Sequence, residues 1–141
     1  MKNKEIREIL IRLDKETGRR QRGIFVNLSR LSVNEIKNLA SKVELDLDEN
    51  VLTIVDEEYP QFLKEMVKGY PLYVIHYQGD LKAIYDKNKG IQKVGNSVVI
   101  GDNDLVLTCG RIEDECVNCL YEALSIYRNN QINLAFIEKL R

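Results

Sequence analysis

Eight residues, Ser97 to Asp104, separate the Gly95-Asn96 pair from the apolar run Leu105-Val106-Leu107. Much of that interval is itself apolar, Val98-Val99-Ile100. A parallel strand-to-strand crossover that carries a helix needs about a dozen residues. No helix fits here, so the segment reads as a meander or hairpin. Glycine–asparagine supplies ordinary turn chemistry at its start.

Upstream, a strand–helix–strand unit is expected. Val51 to Val55 is a short, β-branched apolar run and reads as a buried strand. Asp56 is placed to cap a following helix, with Glu57 and Glu58 at the positive end of its dipole. Pro60 is tolerated in a first turn, where an N–H has no helical partner. Tyr59, Phe62, Leu63, Met66 and Val67 recur on one helical face, and Gly69 with Pro71 ends the helix. Leu72 to Tyr77 is almost continuously apolar, as in a strand buried on both faces. Gln78, Gly79 and Asp80 then turn the chain.

Tyr59, Pro60, Leu63, Pro71, Leu72, Tyr77, Gly79, Asp80 and Leu81 together resemble the DNA-processing protein A (DprA/Smf) family, just before its nucleotide-binding-like domain. Leu105 to Leu124 is similar to that family's strand, glycine turn, arginine and helix, with Gly110, Arg111, Ile112 and Glu113 at the matching places. Together the two stretches cover about 50 of 141 residues. The resemblance implies a Rossmann-like remnant that binds single-stranded nucleic acid or a nucleotide-type ligand. The family's Gly-Ser-Arg turn is met here only by Gly95-Asn96-Ser97, with no arginine and no following helix, so the remnant is truncated. Phosphate-cradling logic, a glycine turn feeding a helix N-terminus, is left to Gly110 and Arg111. A rival, shorter resemblance joins Gly90 to Ile100 with the strand–GNS–strand element of AbrB/MazE-type DNA-binding antitoxins.

Charge is segregated along the chain. Residues 1 to 31 carry nine Lys/Arg against four Asp/Glu, whereas 44 to 60 carry seven Asp/Glu and no base. The net charge of −1 argues against a dedicated, strongly basic nucleic-acid binder. Within the basic region, residues 3 to 16 form an amphipathic helix with Ile6, Ile9, Leu10 and Leu13 on one face, and Gly18 suits its C-terminal cap. Arg19, Arg20 and Arg22 follow. They read either as phosphate or acidic-partner contacts, or as a solvated helix end. The basic and acidic regions are also suited to pairing with each other, within the chain or across a dimer. Ile24 to Leu28 reads as a short strand or extended segment. Ser32 with Glu35 makes a capping box before a helix over Val33–Val43. The alternating acids of Glu44–Asn50 lack the spacing and glycine of a calcium loop, and read as a strand edge or turn.

Three cysteines without a secretory signal fit a reducing cytoplasm. Cys116-x-x-Cys119 permits redox or, with Cys109, metal chemistry, but lies in a helix pattern where cysteine most often packs as a small apolar residue. His76, the only histidine, lies in an apolar strand and reads as a hydrogen-bonded core residue. Glu113–Arg128 and Asn130–Arg141 read as two helices broken near Asn129-Asn130. The apolar tail is suited to the core or to a dimer interface. There is no signal-peptide core and no apolar run of about 18 residues, so no membrane span is expected.

The expected fold is therefore a single α+β domain over residues 1–141, with a small mixed sheet between N-terminal and C-terminal helices. A basic helical part spans 1–50 and the DprA-like part 51–141. The expected role is non-enzymatic and cytoplasmic, with no cofactor and no metal. It is engagement of single-stranded nucleic acid or a nucleotide-type ligand through Arg19, Arg20, Arg22, Gly110 and Arg111. The alternative is a small protein-interaction module or inhibitor from a mobile element, with the ligand loop lost and self-pairing among its options.

Overall fold

The chain after the Gly95-Asn96 turn folds straight back on itself. The structure, a computed structural model, describes residues 1–45, 50–66, 69–110 and 116–141. In chain order the elements are α1 (Asn3–Glu16), α2 (Gln21–Arg30), α3 (Val33–Ser41), β1 (Val51–Thr53), α4 (Gln61–Met66), β2 (Val74–Gly79), a 3-10 helix (Leu81–Tyr85), β3 (Ile91–Val94), β4 (Ser97–Ile100), β5 (Leu105–Thr108) and α5 (Cys116–Leu140). This is an α+β fold. Its five strands form one sheet in the order β1-β2-β5-β4-β3. Every neighbouring pair is antiparallel.

The expectation of a mixed sheet is thus corrected. Links of two residues between β3 and β4, and four between β4 and β5, allow only antiparallel neighbours. The β1–α4–β2 unit also joins antiparallel neighbours, so it is not a parallel crossover. Among the described residues no Rossmann-type crossover is present. Arg111, Ile112 and Glu113, the core of the second DprA-like match, lie outside the described residues, as do the acidic positions 46–49 and the helical-face position Val67.

Strand alternation divides the core in two. Leu52, Ile75, Val98, Ile100, Leu105 and Leu107 face one side, where Leu63, Leu72, Ile84, Leu120 and Leu124 close over them. Phe62 of α4 stacks on Tyr127 of α5 with ring centroids 4.0 Å apart. Val51 and Val74 face the other side and meet Leu10, Leu13, Ile24 and Ile36 of the three N-terminal helices. Those helices cover the β1–β2 end of the sheet. On the same face, the row Val51, His76, Thr108 and Ser97 runs across four strands toward the uncovered β4–β3 end.

α1 stops in a Schellman-type cap. The Gly18 N–H donates to the Lys15 carbonyl at 3.1 Å and the Arg19 N–H to the Asp14 carbonyl at 2.7 Å. Gly18 and Arg19 both take positive φ, 68° and 65°. The expected capping box is present on α3, and its hydrogen bond from the Ser32 backbone lowers the Glu35 carboxyl pKa.

Three local expectations change. Ile24–Leu28 is not a strand but the middle of α2. Gln21, Ile24 and Leu28 fall three and four apart, and Gln21 and Ile24 are fully buried. Asp56 does not cap α4, which starts at Gln61. Its carboxylate turns back, accepting from the Thr53 N–H at 2.8 Å and from Arg7 Nε at 3.0 Å. The C-terminal region is one helix of 25 residues rather than two. Asparagine costs a helix well under ~1 kcal/mol, so Asn129-Asn130 lowers helicity without breaking it.

Candidate functional site

Beside the α1 cap, β2 and β5 form a polar cavity of about 390 Å3 lined by Arg19, Asn50, His76, Gln78, Val106 and Thr108. Three elements build it. The cap of α1 brings Asp14 and Arg19 to the sheet, β2 presents His76, and β5 presents Thr108. His76 Nε2 lies 2.8 Å from Oδ2 of Asp14, whose side chain is 4% exposed. The Arg19 guanidinium Nη1 meets the same ring nitrogen. Next in the row, the Thr108 and Ser97 hydroxyls are 2.7 Å apart. His76 is therefore a hydrogen-bonded sheet residue whose Nε2 is engaged by α1 and its cap, an arrangement that ties the helix to the strand.

The arginines expected to act together are divided. Arg19 lines the His76 cavity, whereas Arg20 and Arg22 line a separate shallow surface cavity with Thr17, Gly23 and Asn27. Gly110 takes φ of 65° just beyond β5, and its carbonyl accepts from Asn96 Nδ2 at 3.3 Å. The glycine turn thus leans on the β3–β4 turn. Arg111, its proposed partner, lies outside the described residues.

Besides Arg19, three of the nine Lys/Arg of residues 1–31 make side-chain contacts to other described residues within the chain. Arg7 bonds Asp56 and the Val51 carbonyl, the latter at 3.0 Å. Arg12 donates to the Val43 carbonyl, and Lys15 Nζ to the Glu44 carbonyl at 3.3 Å. The segregation of charge in the sequence is in part the signature of this internal docking.

The three cysteines lie at the β5–α5 junction, Cys109 and Cys116 buried and Cys119 partly so. Cys116 Sγ donates to the Cys109 carbonyl. The neighbouring Cys116 thiol and burial push the Cys109 pKa well up, opposite to what a reactive thiolate requires. Among the described residues, no group of three His, Cys, Asp or Glu side chains is placed to hold a metal. None of the described helices is long and apolar enough to cross a membrane.

The second candidate surface is the far half of α5. Arg128 is the last buried residue of the helix; its Nη2 donates to the Asp86 carbonyl at 2.7 Å. Burial lowers the Arg128 pKa and Asp86 opposes that effect. Beyond Arg128 the helix continues for three turns, and Ile132, Leu134, Phe136, Ile137 and Leu140 are 47% to 71% exposed. Single exposed apolar residues are ordinary, but Ile132, Phe136, Ile137 and Leu140 share one side of the helix and make a patch of the kind that marks an interaction site, whereas Leu134 lines a cavity with Tyr85 and Asp86. Sequence periodicity shows the apolar tail; only the extent of the body shows that the tail is uncovered.

Comparison with protein-family models, with curated proteins and with solved structures found no match to this chain.

Proposed function

We propose that this chain is a non-enzymatic, cytoplasmic protein-interaction module that engages its partner through the tail of α5. The carrying observation is the run of exposed apolar side chains from Ile132 to Leu140 on a helix whose first half is embedded in the core. A helix presenting several apolar side chains at i, i+4, i+5 and i+8 is a docking element in many assemblies. The Asp14–His76 pair then serves the fold, and no cofactor enters the reading.

A photoreactive residue placed at Ile137 in the intact chain, expressed in cells, is expected to give a discrete protein adduct on illumination. The same residue at Arg20 gives none. No adduct from position 137, or a discrete one only from position 20, overturns the reading.

A second reading keeps nucleic acid as the ligand. It is supported by Arg20 and Arg22 sharing one surface cavity. It requires that a labelled single-stranded oligonucleotide bind at low salt with an affinity that falls steeply as salt is added. Absence of binding at low salt removes it.

A further inference from the structure

Two thiols, Cys116 and Cys119, stand three residues apart at the start of α5. That spacing puts them on one side of a helix, with Cβ atoms about 5–6 Å apart. A disulfide needs about 3.5–4.5 Å. The difference is small, and the place can supply it. α5 begins at Cys116. The N–H groups of a first turn have no helical acceptor, and 3-10 turns are frequent there. In a 3-10 turn residues i and i+3 eclipse, which brings the two sulfurs together.

The thiols differ in access. Cys119 is partly exposed, whereas Cys116 is 3% exposed and Cys109 is fully buried. A reagent in solution therefore meets Cys119 first. Cys116 stands one helical turn away, its Sγ donating to the Cys109 carbonyl. An accessible thiol with a second thiol in reach is the arrangement that resolves a mixed disulfide. Cys109 is unsuited to either part. The neighbouring Cys116 thiol and burial hold its proton in place, and the thiolate is the attacking form.

We propose that Cys116 and Cys119 form a thiol–disulfide exchange site whose substrate is a small-molecule disulfide of the glutathione type. The Cys119 thiolate attacks one sulfur of that disulfide. The S–S bond of the oxidant breaks, one thiolate leaves, and a mixed disulfide forms on Cys119. Cys116 then attacks the Cys119 Sγ, the mixed S–S bond breaks, and the second thiolate leaves. The protons of the two protein thiols end on the two departing thiols. The protein pair loses two electrons and the oxidant gains them. This site is separate from the α5 tail and does not rest on the tail being a docking surface.

For the test, the full chain is reduced, desalted and held folded with excess glutathione disulfide. Remaining thiols are capped with N-ethylmaleimide in denaturant, and the chain is cut with trypsin. Cleavage after Lys93, Arg111 and Arg128 puts Cys109 in peptide 94–111, and Cys116 with Cys119 in peptide 112–128. Peptide 112–128 is expected uncapped and two hydrogens lighter, with peptide 94–111 capped. Cys116→Ser is expected to stop at the mixed disulfide on Cys119. Cys119→Ser is expected to lose thiols at least ~10-fold more slowly than the parent chain, because both remaining thiols are buried. A cross-link between the two peptides overturns the proposal. So does a mixed disulfide that persists on Cys119 in the parent chain, or a folded chain with all three thiols capped. Oxidation of Cys119→Ser as fast as the parent overturns it too. Should Cys116→Ser fail to fold, the parent peptide map and the Cys119→Ser rate decide the outcome.

Discussion

Gln21 shows how much a single polar side chain carries in this fold. It is fully buried at the start of α2 and completes the β2 edge where β5 ends. Its Nε2 donates to the Val74 carbonyl at 2.6 Å, and its Oε1 accepts from the Tyr73 N–H at 2.8 Å. Gln21→Leu leaves those main-chain groups unpaired and is expected to cost about 1–3 kcal/mol per unsatisfied group, measured by urea denaturation. A second residue-scale test is Gly79, with φ of 110° and a Cβ position 2.2 Å from the Asp104 carbonyl oxygen. Gly79→Ala must move the β5 entry, and a loss of at least ~2 kcal/mol is expected. Tyr59 gives the pH dependence. Its hydroxyl donates to the Leu72 carbonyl at 2.8 Å. Burial, then Cys109, raises its pKa. A phenol whose folded pKa lies above its unfolded value contributes stability in full below pH about 10 and loses it as pH rises beyond. Tyr59→Phe, about 1 kcal/mol less stable at neutral pH, should therefore lose less stability than the parent chain from pH about 10 upward. Equal loss in both contradicts this assignment.

At the scale of elements, the legible parts were those fixed by local chemistry. The Ser32/Glu35 capping box, the Gly18 cap and the short return after Gly95-Asn96 were each read from local chemistry, and each is found. α2 was not legible as a helix. Ile24-Phe25-Val26 is β-branched and aromatic, and only burial of Ile24 and Gln21 against α1 and the sheet decides in favour of a helix. The union of two helices into α5 was hidden for a similar reason: asparagine weakens helicity without ending it. In the site, Asp14 gave no signal, because a carboxylate in an amphipathic helix looks solvated until β2 brings His76 to it. The two halves of α5 differ in what they contribute. Leu120→Ala is expected to destabilise by about 2–5 kcal/mol. Ile137→Asp should change monomer stability by no more than about 0.5 kcal/mol. Comparable losses at both positions would mean that the tail packs on its own body.

For the molecule as a whole, a near-neutral chain with segregated charge has used that segregation to dock its N-terminal helices. Arg7 on Asp56, and Arg12 and Lys15 on carbonyls of the 43–44 segment, join regions 29 to 49 residues apart. The tail of α5 leaves an apolar surface uncovered. The most direct test of that account is amide hydrogen exchange across residues 129–141, compared at dilute and high protein concentration. Weak protection of 129–141 in dilute solution, while residues 116–128 stay protected throughout, is the predicted result. Strong protection of 129–141 that does not change with concentration would contradict it, because the tail would then be held by its own chain.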